Sequence, residues 1–251
     1  MDNSNQVEEQ KDQQGELTLL QSVTKNAIGL ALFALVTAGV IALVKLSTAV
    51  QIQDNIAQAQ AKALYEIVPE SSVDNVLLHD VLPLNLEHVK KQLNVHLLGP
   101  IDSQANIHFA KLNGKLHTLI FPVVAPDGYT TAIKLLVGIK LDGTLAGVRI
   151  IDHKETPGLG DKVELKKSDW VLSFNGKSLL NPDSDKWKVK KNGGEFDSFT
   201  GATITPRAVI NAVKQALVFY QDYQTSILEL KTAFDQQQTS NSQEPTQQGV
   251  K

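Results

Sequence analysis

The sequence predicts an α+β protein, in which one N-terminal transmembrane helix is followed by a domain with an antiparallel sheet and packed helices. Three observations predict this class: an uncharged apolar run over residues 26–44, three successive β-branched runs between turn residues, and an apolar stripe at helical spacing near the C-terminus. The 251 residues suffice for one sizeable domain with appendages.

The apolar run NAIGLALFALVTAGVIALV has no charged side chain over 19 residues. A helix of that length is about 28 Å long, which is enough to cross a bilayer. The alternative is a cleaved signal peptide, but the run is longer than a usual signal-peptide core and a polar, acidic segment precedes it. We therefore predict an uncleaved transmembrane helix over residues 26–45. The lysines on its two sides are balanced, so charge does not set its orientation.

Both ends of the chain are polar. Residues 1–25 are rich in Gln, Asn, Asp and Glu, which predicts a mobile tail. Residues 236–251 are equally poor in apolar side chains, which predicts a disordered tail.

The main domain is expected over residues 46–235. Its first helix should cover residues 47–67, where apolar side chains recur near helical spacing before Pro69. Residues 70–115 have no clear period, and we assign them no elements.

The middle of the chain predicts a three-stranded meander. The runs KLHTLIFPVVA, YTTAIKLLVGIKL and TLAGVRIIDH are separated by Pro126-Asp127-Gly128 and by Asp142-Gly143. Asp-Gly between apolar, β-branched runs is a strong hairpin signal. Three antiparallel strands are therefore expected.

Further elements are predicted after the meander. Helical spacing returns over residues 162–174, and short strands are expected over 187–191 and 195–200. In the predicted helix the buried positions are expected to be Val163, Leu165, Trp170, Val171 and Phe174. The last helix should begin at Thr205-Pro206, with the threonine as N-cap and the proline at the first helical position.

Composition excludes several classes of function. The chain has 24 basic and 27 acidic residues, and its pI is about 6.1. The basic surface of a nucleic-acid-binding protein is therefore not expected. The absence of cysteine excludes disulfides, thiolate metal sites, cysteine-bound iron–sulfur clusters and thiol nucleophiles. The six histidines lack metal-site spacing, so we expect them to be ordinary polar residues.

The segment 197–206, DSFTGATITP, leads into the N-terminus of the last predicted helix. Unpaired N–H groups and the helix dipole favour a phosphate group there, and Gly201 with Ala202 permits close approach. An ordinary polar turn with a helix cap explains the same residues, and it is the simpler interpretation because helix caps are far commoner than ligand sites.

The segment 153–162, HKETPGLGDK, follows the third predicted strand. Its proline and glycines set an unusual backbone path, and loops after strands commonly hold ligands. A plain connection between a strand and a helix is the alternative.

Three stretches carry a resemblance to a known family: HKETPGLGDK, SDWVLSFNGKSL at 168–179 and FDSFTGATITPRAVINAV at 196–213. With them the chain resembles the FMN-binding domain family of flavoproteins, and within it the G subunits of the Rnf electron transport complexes, also called Rsx. The third stretch contains the family's D-x-x-[ST]-G-A-T flavinylation pattern, with a threonine at position 200 where many relatives have serine.

The resemblance implies that Thr203 carries FMN through a phosphoester bond formed by a dedicated flavin transferase. It also implies further cofactor-binding residues in the two loop segments, namely Thr200, Gly201, Ala202, Glu155, Thr156, Gly158, Leu159 and Gly160. Lys162 is a candidate for tuning the flavin ring, and an ordinary surface lysine is the alternative.

The same resemblance implies a place in the cell. The chain would be anchored by a single pass in the bacterial inner membrane, with its main domain in the periplasm and with the lipid bilayer and other membrane proteins of the complex as partners. The complex would couple electron flow between ferredoxin and NAD to ion movement, or would maintain a reduced partner, and this chain alone would catalyse no complete reaction.

Two alternatives stay open from the sequence. The C subunits of the sodium-translocating NADH:quinone reductases share the GAT pattern and the ETPGLG loop, although His153-Lys154 and the Thr-Pro-Arg-Ala stretch are more similar to the Rnf group. A membrane-tethered periplasmic scaffold without a cofactor is the alternative from a different class.

Overall fold

The structure is a computed structural model that describes residues 4–242, with side chains described over 23–240 except at positions 50, 53, 54 and 56. Within it the chain divides into two compact units, Met1–Ala57 and Gln58–Lys251.

The first unit is formed by most of helix α1, which covers Ser4–Ile67. Its residues Val23–Ala49 are long and apolar enough to cross a membrane, and they contain the predicted run. Their large apolar side chains are exposed, with Leu35 at 73% and Leu46 at 74%, an arrangement that suits lipid and not water. The helix ends two residues before Pro69, as predicted.

The two predicted tails differ from the structure where it describes them. Residues 4–25 are part of α1, and residues 236–242 are part of the last helix, α3, which covers Ile204–Ser242. In α3 the hydroxyl of Thr239 donates to the Asp235 carbonyl at 2.9 Å, which is compatible with continued helix. Once nucleated, a helix gains one hydrogen bond for each residue added. Residues 1–3 and 243–251 lie outside the described residues.

The second unit contains a five-stranded antiparallel sheet in the order β1-β2-β3-β4-β5. Its strands are β1 (Val81–Pro83), β2 (Asn106–Leu112), β3 (Lys115–Ala125), β4 (Ile133–Lys140) and β5 (Leu145–Asp152). The predicted meander corresponds to β3, β4 and β5, so that prediction is confirmed. The segment left unassigned supplies β1, β2, the short helix α2 (Glu87–Gln92), and 3₁₀ helices at Glu70–Ser72 and Val95–Leu98.

The sheet is covered on both faces. On one face Phe121 meets Phe219 and Tyr220 of α3 edge to face, with ring centroids 5.9 and 6.0 Å apart. On the other face, Ile120 belongs to a separate apolar cluster with Leu64 from the last turns of α1. Because both faces are buried, the central strands are almost continuously apolar and do not alternate.

The helix predicted over residues 162–174 is wrong. Two 3₁₀ helices, Gly160–Val163 and Asp169–Phe174, stand in its place. Ser168 separates them, because its hydroxyl donates to the Lys162 carbonyl and accepts from the Trp170 N–H. The expected buried positions are buried, except for Leu165, which is half-buried.

The strands predicted over residues 187–191 and 195–200 are also wrong. Val189 and Phe196 form only an isolated bridge, and a 3₁₀ helix, Lys190–Asn192, lies between them. Gly193 follows with a left-handed backbone at φ 78°, which turns the chain back before a ladder can extend.

Candidate functional site

A cavity of about 640 Å³ lies where three loops of the second unit converge. The loops connect β3 to β4, follow β5, and lead into α3. The volume lies within the range of roughly 300–1,000 Å³ that is common for small-molecule sites. The lining residues are Tyr129, Glu155, Thr156, Leu159, Gly160, Lys191, Gly201, Ala202, Thr203, Ile204 and Thr205.

The loop into α3 is held by a tight turn and by aromatic packing. The Ala202 N–H donates to the Phe199 carbonyl at 3.1 Å, and Gly201 has φ 81°, a conformation that favours glycine at this turn position. The Phe199 ring packs edge to face on Trp170 at 5.2 Å, and the Trp170 indole donates to the Asp197 carbonyl at 2.8 Å. The chain that enters the turn is therefore anchored to the core.

Thr203 occupies the position immediately before α3. Its carbonyl accepts the Arg207 N–H at 3.4 Å, as the first bond of the helix. Its side chain is half-buried and lines the cavity, and among the described residues its hydroxyl has no hydrogen-bond partner. A free hydroxyl thus lies at the positive end of a 39-residue helix.

Thr205 is not the N-cap that the sequence predicted. The helix begins at Ile204, so Thr205 lies within its first turn, fully buried. Its hydroxyl donates to Oε2 of Glu155 and not to the helix backbone. Pro206 follows in the same turn, where a missing N–H costs nothing because the first four N–H groups have no helical partner.

Glu155 is the most connected side chain of the site. It is only 4% exposed, and its carboxylate accepts the Thr130 N–H at 2.9 Å and the Tyr129 N–H at 3.2 Å, in addition to the Thr205 hydroxyl. Gly160 packs against this pair so closely that a Cβ there would lie 2.9 Å from Cβ of Glu155 and 3.0 Å from Oγ1 of Thr205. The glycine is needed for this close approach.

His153 orients the backbone of the same loop. The Glu155 N–H donates to His153 Nδ1 at 3.0 Å, so Nδ1 is an acceptor, and His153 Nε2 lies 2.6 Å from Oε1 of Glu164. This network assigns the neutral tautomer that has its proton on Nε2. Its ring lines a second cavity of about 410 Å³, formed with Glu66 and Arg149.

Most of the predicted site residues come together, and two do not. Glu155, Thr156, Leu159, Gly160, Gly201, Ala202 and Thr203 line the cavity. Thr200 is exposed and does not line the cavity. Gly158 does not line it either, and it forms a turn with a left-handed backbone at φ 77°. Lys162 is likewise not among the lining residues.

The sequence prediction missed four lining residues: Tyr129, Lys191, Ile204 and Thr205. Tyr129 is 66% exposed and Ile204 is 47% exposed, and together with Leu159 at 41% they give the cavity an exposed apolar rim. Lys191 adds a positive charge. Exposed apolar side chains from three separate loops have no shared local pattern, although the position of Tyr129 directly after Asp-Gly was a weak signal.

Comparison with known proteins agrees with the position of this cavity. The family model described as FMN-binding domain matches residues 128–218, and that described as RnfG N-terminal region matches residues 12–67. The first match contains every residue that lines the cavity.

Several relatives share most of their length with the chain, and each is named as the G subunit of an ion-translocating oxidoreductase complex. The Pseudoalteromonas atlantica protein is 44% identical over 201 residues, which cover 80% of this chain and 89% of the relative. The Vibrio atlanticus protein is 40% identical over 210 residues, covering 84% and 96%. The Pseudomonas aeruginosa protein is 46% identical over 200 residues, covering 80% and 89%.

Proposed function

The chain belongs to the family of G subunits of ion-translocating oxidoreductase complexes, and from this membership we propose that it is a membrane-anchored electron-transfer subunit with FMN attached covalently to Thr203. The observation that carries the proposal is the Thr203 hydroxyl, which has no hydrogen-bond partner among the described residues and lines the cavity at the start of α3.

The residues present fit a phosphoester at this position. The two neighbouring threonines are less suitable, because the Thr205 hydroxyl is fully buried and bound to Glu155, and Thr200 lies outside the cavity. The N-terminus of α3 stabilises the remaining negative charge of a phosphodiester, and Lys191 adds a cation on the same wall.

The rest of the cavity suits a planar aromatic ring. Tyr129, Leu159 and Ile204 present exposed apolar surface from different sides, and an aromatic ring packed on them would remove that surface from water. The bound flavin supplies electron transfer in single or paired steps, while the protein supplies position and electrostatics. Covalent attachment prevents loss of the cofactor by dissociation.

The cellular setting is part of the proposal. The span Val23–Ala49 anchors the chain in the bacterial inner membrane, and the domain from Gln58 onward lies in the periplasm, where a flavin transferase attaches FMN and where the domain meets the other membrane proteins of the complex. The 40–46% identity to the G subunits favours this assignment over a component of the sodium-translocating NADH:quinone reductase.

The substitution Thr203→Val tests the attachment. Valine has nearly the shape of threonine without its hydroxyl, so covalent flavin fluorescence in a denaturing gel should vanish while circular dichroism and membrane fractionation stay near wild type. Loss of stability should be no more than about 1 kcal/mol. The matched control is Thr232→Val, on the exposed face of α3, which should keep its flavin.

Fragment mass spectra of the peptide from Phe196 to Arg207 locate the added mass in the wild-type protein. We expect it on Thr203. Covalent flavin that persists in the valine variant, or mass on Thr200 or Thr205, contradicts the assignment. A wild-type protein without any flavin would favour the membrane-tethered scaffold.

A further inference from the structure

The buried carboxylate of Glu155 has a role that is distinct from contact with a cofactor. Its two oxygens accept from two backbone N–H groups of the β3–β4 loop and from a hydroxyl in the first turn of α3, while Glu155 itself belongs to the loop after β5. The β3–β4 loop, the loop after β5 and the first turn of α3 therefore meet at this one side chain.

This connection spans large distances in sequence. Thr205 is 50 residues from Glu155, and Thr130 is 25 residues away on the other side. The wall that contains Thr156 and Leu159 is thereby fixed relative to Thr203, two residues before Thr205. Gly160 leaves room for the side chains of Glu155 and Thr205. His153 fixes the Glu155 backbone, because its Nδ1 accepts the Glu155 N–H.

The carboxylate also places a charge on the cavity wall. It accepts hydrogen bonds from three donors, which is the pattern of an ionised carboxylate, and it forms no ion pair with a described cationic side chain. A fixed negative charge in a water-poor site acts strongly on other charges near it. The negative charge of the Glu155 carboxylate would therefore repel electrons that are added to a group bound in this cavity.

From these contacts we infer that Glu155 is a positioning residue that locks the three loops of the cavity together and makes the flavin harder to reduce. The electrostatic half of this inference rests on the proposed function, because it requires flavin in the cavity. The positioning half requires only the folded protein.

The positioning role is tested by a double-mutant cycle on the full-length protein in detergent. Glu155→Gln keeps the shape and removes the charge, and Thr205→Val removes the hydroxyl. Each single substitution should lower the melting temperature. The double variant should lower it by clearly less than the sum of the two single decreases. Thr205→Ser, which retains the hydroxyl, should restore most of the stability. Additive losses would overturn the positioning role.

The electrostatic role is tested by redox titration of the covalently bound flavin. Glu155→Gln should shift the reduction potential to a more positive value, whereas Thr205→Val, which keeps the carboxylate, should shift it much less. The matched control is Glu87→Gln, which removes one exposed carboxylate from α2 and should leave the potential unchanged. An unchanged potential in Glu155→Gln would overturn the electrostatic role.

The two proposals fail in different ways. If the wild-type protein carries no flavin, the proposed function fails, but the coupling between Glu155 and Thr205 is still measured in the melting experiment. If flavin is present and the cycle is additive, the proposed function stands and the positioning role of Glu155 is wrong.

Discussion

At the scale of single residues, three threonines within six positions have different surroundings. Thr200 is exposed, Thr205 is fully buried and donates to a carboxylate, and Thr203 between them is half-buried with its hydroxyl unpartnered among the described residues. A hydroxyl that must be modified has to be both reachable and free of a competing bond. Thr205 fails both conditions, and Thr200 does not line the cavity, so of the three Thr203 is the one that is suited to modification there.

Gly160→Ala tests how tightly the pair beneath the cavity is packed. The new methyl group would lie 2.9 Å from Cβ of Glu155, so the loop must shift, and we expect the free energy of unfolding to fall by about 1–3 kcal/mol. Flavin attachment should fall with it. Denaturant unfolding and in-gel fluorescence provide the two measurements.

The matched control is Gly147→Ala in β5. Its added Cβ would lie no closer than 3.6 Å to its neighbours, which is ordinary van der Waals contact. Equal stability losses in the two alanine variants would show that the close approach at Gly160 is unimportant.

At the scale of elements, a charged network ties the second half of α3 to the edge of the sheet. Lys231 is only 8% exposed, and its Nζ lies 2.9 Å from Oδ1 of Asp80. The other oxygen of Asp80, Oδ2, lies 2.7 Å from Nζ of Lys111. Burial by itself would raise the pKa of Asp80, but the hydrogen bonds from Lys111 and Lys231 lower it below its usual value.

This network predicts acid sensitivity. Because the pKa of Asp80 is lower in the folded state than in the unfolded state, its stabilising contribution is present above the unfolded pKa of about 3.9 and is lost as pH falls through the folded value. Asp80→Asn should cost about 2 kcal/mol at neutral pH, the typical strength of a hydrogen bond to a charged group. It should also lose less stability than wild type between about pH 5 and pH 2.

Denaturant unfolding across this pH range measures the effect. Asp102→Asn is the control, because the ion pair between Asp102 and Lys134 is largely exposed and should contribute less than about 1 kcal/mol. Parallel pH profiles for wild type and Asp80→Asn would contradict the prediction.

At the scale of the whole molecule, the chain combines an exposed apolar helix with a domain most of whose large apolar residues are buried. A single span places the two ends of a chain on opposite sides of a membrane. The domain has no cysteine that an oxidising compartment could alter.

We expect a reporter that is active only in the periplasm to work when it is fused after Lys251. The same reporter fused before Met1 should be inactive, and this fusion serves as the control. Activity measured in cells that express each fusion at equal levels decides the placement. The opposite pattern would put the domain in the cytoplasm.

Local sequence signals were enough to predict the features that are encoded over a few neighbouring residues. The span, the meander of β3 to β5 and the apolar stripe of α3 follow from hydrophobic period and from Asp-Gly turns, because these signals act locally. Local signals also singled out the two segments that supply most of the cavity lining, whereas the individual site residues were implied by the resemblance to the FMN-binding domain family.

How those segments meet depends on the folded arrangement of the chain. The pairing of Glu155 with Thr205, the exposed rim of Tyr129 and Ile204, and the approach of Lys191 join residues far apart in sequence. The folded arrangement also explains the errors, because α3 begins at Ile204, so that Thr205 lies inside its first turn and donates to Glu155, and because the hydrogen bonds of Ser168 broke the predicted helix. Such outcomes depend on burial and hydrogen bonding across loops, which local spacing does not encode.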